Sequence, residues 1–217
     1  MTKWERQIEQ DLEWREAEMA SLKLLLASAP RDSDRQRALL RACCAMLYAH
    51  YEGFFKFCWT LLLDTIQAEA HPRSELSAPL AKRALVTVFK KLRGDTSDEN
   101  LWQFGTSNFH TELQHLATFP EEVDTQSNLW PKLAQAINAS VGIKCPLLDH
   151  HDAELGQLVG RRNKIAHGEK LEISDLGQFQ RFEHAAMVVM HELAIAVVEC
   201  LEQKSYLRLA KDGVMMM

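Results

Sequence analysis

Glycine and proline are scarce in this chain, nine and six among 217 residues. Strand-rich folds use both freely at their many turns, so the scarcity excludes such an architecture and favours long helices. A Gly-rich phosphate loop, a Gly-x-Gly-x-x-Gly fingerprint and a nucleophilic serine motif are also absent. The mechanisms that depend on those motifs therefore have no foothold here. The cysteines Cys43, Cys44, Cys58, Cys145 and Cys200 are odd in number and form no Cys-x-x-Cys pair. All but Cys145 sit in apolar periodic segments, which reads as buried thiols in a reducing compartment. The opening Met-Thr-Lys-Trp-Glu-Arg carries no apolar signal-peptide core. The richest apolar window, Ala38 to Leu63, is interrupted by Arg41, His50, Glu52 and Lys56. It reads as a buried helix and not as a membrane span. A cytoplasmic protein with no membrane partner is the expectation.

Hydrophobic residues make up 47% of the chain and charged ones 25%, which is enough apolar side chain for a sizeable core. The net charge of −5 excludes a protein that coats nucleic acid over its whole surface, but leaves room for a local basic cleft. Apolar residues recur at helical spacing through Trp4, Ile8, Leu12, Met19, Leu22 and Leu26. After Pro30, Ser33 or Asp34 caps a second helix running to about Glu69, with the stripe Leu40, Cys43, Leu47, Tyr51, Phe54, Cys58 and Leu61. His71-Pro72 breaks it. A third, basic helix begins around Pro79 and ends near Arg93-Gly94, carrying Lys82, Arg83, Lys90, Lys91 and Arg93. Residues 94–106 read as a loop, with short helices near 107–117 and 129–140. A further helix spans roughly 150–167, and Ser174-Asp175 caps a last one reaching about Lys204. The expectation is an all-α bundle with long core helices, one domain over 1–217, and a tail from about 205.

Groups able to do chemistry are densest in Leu158-Val159-Gly160-Arg161-Arg162-Asn163-Lys164-Ile165-Ala166-His167-Gly168. On a helix Asn163 and His167, four apart, share a face. Arg162 precedes His167 by five residues and is rotated roughly 140° from it. The two converge only near a helix end, through a long side chain, or across a partner helix. Gly168 suits the left-handed residue after a helix C-terminus, where the dipole favours an imidazolium. Ordinary C-terminal electrostatics account for the same pattern, with Arg161, Arg162 and Lys164 near the negative helix end. Glu52 lies with His50 amid the apolar spine, where an unpaired carboxylate is costly; Arg162 or Arg161 is its expected partner. Glu183, His184, His191 and Glu192 suggest a metal site, yet zinc-binding helices favour spacings of three or four and no third ligand is placed. No metal or other cofactor is expected. The basic third helix reads as a solvated face or, alternatively, an RNA-backbone contact.

The run Arg162-Asn163-Lys164-Ile165-Ala166-His167-Gly168 resembles the signature of the HEPN superfamily: an arginine, a polar residue after it, and a histidine four to six residues on. Leu47-Tyr48-Ala49-His50-Tyr51-Glu52-Gly53-Phe54-Phe55-Lys56 is similar to the long early helix of the MAE-type HEPN-like nucleases. Glu13-Trp14-Arg15-Glu16 and Thr106-Ser107-Asn108-Phe109 are similar to that branch as well. The resemblance implies a metal-independent endoribonuclease, a toxin or phage-defence effector whose site forms where two protomers pair. Its partners are then an RNA substrate, a second copy of the chain, and an antitoxin or associated defence protein. His167 takes the acid/base role, Arg162 stabilises the transition state, and Asn163 orients the imidazole or a phosphate oxygen. Glu52, Arg161 and Lys164 support them. Two alternatives stay open: a catalytically silent HEPN-like module that dimerises or docks a protein, and a nucleotide-binding regulator.

Overall fold

The computed structural model describes residues 2–119, 123–170 and 176–208. The architecture is all-α: among the described residues the only β pairings are isolated bridges, Pro72 with Leu116 and Leu76 with Leu207. Helix α1 (Lys3–Ala27) opens with Thr2, whose hydroxyl accepts the Glu5 amide hydrogen. Helix α2 (Asp34–Ala68) is the spine. Ser33 caps it by accepting the Gln36 N–H at 3.1 Å, satisfying a donor that the helix start leaves orphaned. Its apolar residues point to more than one side because it packs against α1, α9 (Asp152–Ala166) and α10 (Leu176–Glu202) together. Tyr48, Tyr51, Phe54, Phe55, Trp59 and Leu62 are buried along it. The Ser174-Asp175 cap foreseen for α10 lies outside the described residues.

By length and composition α10 is apolar enough to cross a membrane, with a window hydropathy of 1.6, and half of that window is buried inside the protein. Phe179, Phe182, Ala186, Val189, Met190, Leu193 and Val197 form its buried stripe, and its main packing partner is α2. That is the pattern of a core helix.

The basic third helix is two. Helix α3 (Ala78–Ala84) and helix α4 (Val86–Gly94) meet at Leu85, whose φ of −96° and ψ of 5° break the helical run. Leu80, Ala84 and Leu85 enter the core, whereas α4 buries no residue fully, so the chain turns away from the bundle there. The expected loop over 94–106 is also largely helical. Ser97 caps α5 (Asp98–Gln103), a π turn (Phe104–Asn108) follows, and α6 (Phe109–Gln114) completes the arm. Beyond it come α7 (Pro131–Val141) and α8 (Pro146–His150), each with proline in its first turn.

Residues 205–208 are not tail. Tyr206 is buried, its carbonyl accepts the Ser77 N–H at 2.8 Å, and its hydroxyl donates to Glu69 Oε2 at 2.6 Å. Residues 209–217 lie outside the described residues. Lys204 Nζ at 2.9 Å and His71 Nε2 at 3.2 Å reach the same Glu69 oxygen. The Tyr206 hydrogen bond, with those from Lys204 and His71, holds the Glu69 carboxyl down at about 2 against an ordinary 4.5. A depressed carboxylate stabilises the fold fully above its unfolded value, and that stabilisation is lost as pH falls through the folded one. Urea unfolding should therefore show stability declining from pH 4.5 towards pH 2, and Tyr206→Phe should lower stability at pH 7 while flattening that decline.

Gly53 is needed for a close approach. A Cβ there would sit 2.9 Å from Arg15 Nη1, and Arg15 is pinned by Asp11 at 2.7 Å and by the His50 carbonyl at 3.4 Å. The Trp14-Arg15 and His50…Gly53 segments singled out in the sequence are thus one contact between α1 and α2. Burial pushes the His50 imidazole pKa down, and Arg15 adds to that. Glu18 Oε2 lies 3.0 Å from His50 Nε2, outside hydrogen-bonding geometry.

Candidate functional site

The motif lies on the last two turns of α9, which stays α-helical to Ala166. His167 is the cap residue, and Gly168 takes φ +75°. Gly168 N–H donates to Ile165 O at 3.1 Å and Glu169 N–H to Lys164 O at 2.9 Å. This double closure is what a left-handed glycine after a helix permits. Arg41 on α2 donates to the Glu169 carbonyl at 2.8 Å, fixing the end of α9 against the spine.

Because the helix is unbroken, Arg162 and His167 keep their separation in rotation. Arg162 is half-buried against α2, with its Cζ 4.7 Å from the centre of the Tyr48 ring. Its Nη1 donates to Asn128 Oδ1 at 3.0 Å and to Asn163 Oδ1 at 3.1 Å. No hydrogen bond uses Nε or Nη2 among the described residues, so that edge of the guanidinium is uncommitted. Its fixed partners are two neutral amide oxygens and a ring face, none of which cancels its charge. The His167 ring is exposed, with no hydrogen-bond partner among the described residues.

Asn163, expected to orient the imidazole or a phosphate oxygen, has its side-chain oxygen on Arg162 instead. Lys164 is exposed. Arg161 points to α10, its Cζ 6.0 Å from the Phe182 ring. The expected pairing of Glu52 with Arg162 or Arg161 is not what the fold makes. Glu52 Oε1 accepts from Thr125 Oγ1 at 2.5 Å and lies 3.2 Å from Lys56 Nζ. Lys56, one turn along the same helix, meets the carboxylate without crossing to another element. Even so, Glu52, Lys56, Tyr48 and Arg162 line one open cavity of about 350 Å³, together with Ala45, Ala49, Gly53, Ile165 and Ala166.

Two residues central to this arrangement were not singled out as site residues, Tyr48 and Asn128. Tyr48 accepts the buried Leu129 N–H at 2.8 Å on its hydroxyl, tying the 123–130 segment to α2 just where Asn128 meets Arg162. Burial, helped by the Glu52 charge, pushes its phenol up to about 12, so it remains neutral and acts as a support. Tyr48 stands three residues before Tyr51 of the apolar stripe, and nothing in its local sequence pairs it with Arg162. Asn128 comes from a segment 34 residues away and carries no local signal. The α10 histidines go separate ways. The His184 ring lies 5.7 Å from that of His151, while His191 Nε2 lies 2.7 Å from Glu16 on α1.

The sequence matches the family described as MAE_28990-like HEPN over residues 4–206. This chain belongs to that family. Searches of curated proteins and of solved structures return no match. The HEPN superfamily includes ribonucleases, and the matched span takes in the α2 spine and the whole α9 motif.

Proposed function

We propose that this HEPN protein is a metal-independent endoribonuclease acting as a homodimer. The observation that carries the reading is the Arg162 guanidinium: half-buried, held by neutral groups, and with its Nε–Nη2 edge uncommitted. A fork of two parallel N–H donors matches two oxygens of a phosphodiester. RNA brings its own nucleophile. His167 takes the proton of the 2′-OH as that oxygen attacks phosphorus, the bond to the 5′ oxygen breaks, and a 2′,3′-cyclic phosphate forms. Arg162 stabilises the charge gathering on the phosphoryl oxygens. The 5′ oxygen must receive a proton as it leaves, and His167 of a second copy is the group that can give it. Pairing two α9 ends about a two-fold axis also answers the rotation between Arg162 and His167 along one helix. The chemistry requires no metal-bound water.

A competing reading has one observation in its favour. Among the described residues nothing orients the His167 ring, as a catalytically silent HEPN module that only dimerises or docks a protein would allow. Incubation of the purified protein with total RNA, beside a His167→Ala control, separates the two. Cleavage by the wild type alone is the expected result, and equal RNA profiles from both proteins would favour the silent module. A toxin or phage-defence role, with an antitoxin or defence partner, follows from the nuclease reading. Growth arrest on expression, relieved in the His167→Ala variant, is its expected sign.

A further inference from the structure

Beside this site the fold leaves a large aromatic side chain partly exposed. Trp130 is 43% exposed and stands immediately before α7, two residues after Asn128. The Trp130 N–H donates to the Asn128 carbonyl at 2.9 Å, so the residue that holds the Arg162 guanidinium and the exposed indole belong to one short turn. The indole also reaches α9: a Cβ built on Gly160 would lie 3.9 Å from Trp130 Cη2. Gly160, Asn163 and His167 fall within about 60° of one another around the helix, and Gly160 lies roughly 10 Å along the axis from His167. Arg162 lies roughly 160° around α9 from Gly160, so it is the Asn128–Trp130 turn, and not a shared helix face, that joins the partly exposed indole to the residue holding the guanidinium.

We propose that Trp130 is the base-stacking residue of the RNA site, and this rests on the nuclease reading. A single-stranded polynucleotide is the ligand that offers an aromatic ring and an anion in fixed succession. With a phosphodiester on the free edge of Arg162, a neighbouring base stacks on the exposed indole. Every base has a π face, so this contact confers affinity with little sequence preference. Gly160 lets the indole edge approach α9, since a long side chain there would compete for the same space.

The test is fluorescence anisotropy with a short, labelled, fully 2′-O-methylated single-stranded RNA, which binds without being cut. Trp130→Ala should weaken binding on the order of tenfold, and Trp130→Phe should recover most of it. Trp102→Ala, removing a 70% exposed tryptophan on α5, should change nothing. Trp130→Ala should melt somewhat earlier but cooperatively and well above the assay temperature, which separates stacking from a folding defect. Wild-type affinity in Trp130→Ala would overturn the inference, as would a loss that merely tracks a shift from dimer to monomer in light scattering. If Arg162→Ala loses binding while Trp130→Ala keeps it, the nuclease reading survives and the stacking role does not. If the wild type neither binds nor cuts RNA, the nuclease reading itself has failed.

Discussion

Replacing Arg162 with alanine is expected to lower RNA cleavage by at least about a hundredfold, the usual effect of removing one donor to a developing oxyanion. The fold should survive it. The side chain is half-buried at a helix end, and its loss leaves Asn128 and Asn163 each without one hydrogen bond and Tyr48 without its cation. Together these are worth about 2–4 kcal/mol, less than the roughly 5–15 kcal/mol that holds a typical domain folded. Arg162→Lys should fare little better than alanine. An ammonium keeps the charge but cannot hold two amide oxygens on one nitrogen while offering a second edge to phosphate. The paired measurement is kcat/KM on a defined RNA together with thermal unfolding. Near-normal kcat/KM in either variant would show that Arg162 does not stabilise the transition state.

The largest effect on stability should come from Trp59→Ala. Trp59 is fully buried in the C-terminal half of α2 and donates its indole N–H to Asn138 Oδ1 at 2.8 Å. Truncation leaves a large cavity, costing about 3–5 kcal/mol. It also strips the last side-chain partner from Asn138, whose amide nitrogen already has none. Against a typical total of roughly 5–15 kcal/mol, that is enough to bring the protein close to unfolding. Trp59→Phe keeps most of the packing and loses the hydrogen bond, so its cost should be clearly smaller. Urea midpoints for the three proteins measure this ordering. A Trp59→Ala midpoint near that of the wild type would mean that the packing around Trp59 contributes little.

The long helices were legible because their apolar stripes are long and their caps conventional: Ser33 and Gly168 act as their positions foretold. What failed was local punctuation. Gly94 and the following Asp-Thr-Ser suggested a loop, yet Ser97 starts a new helix three residues later. The break at Leu85 has no glycine or proline to announce it, because it arises from which residues the core accepts. Tyr206 looked like the start of a tail, since nothing in the sequence pairs a tyrosine with a glutamate 137 residues earlier. The site was half legible. The candidate run Arg162–His167 is compact in sequence, and so it stands out there. The groups that aim Arg162 are tertiary: Tyr48 sits 114 residues before it by number and Asn128 belongs to a segment with no motif. The partner of Glu52 was misjudged for a simpler reason, since Lys56 was one helical turn away all along.

The central claim is cleavage by the substrate's own 2′-OH at a site built on Arg162 and His167. Digestion of a defined RNA in the presence of EDTA, with analysis of the product ends, tests it most directly. The account predicts that cleavage persists and leaves 2′,3′-cyclic phosphate or 3′-phosphate ends, and that one 2′-deoxy residue at the cut position blocks it. Cutting at that 2′-deoxy position, or activity lost entirely on chelation, would contradict it.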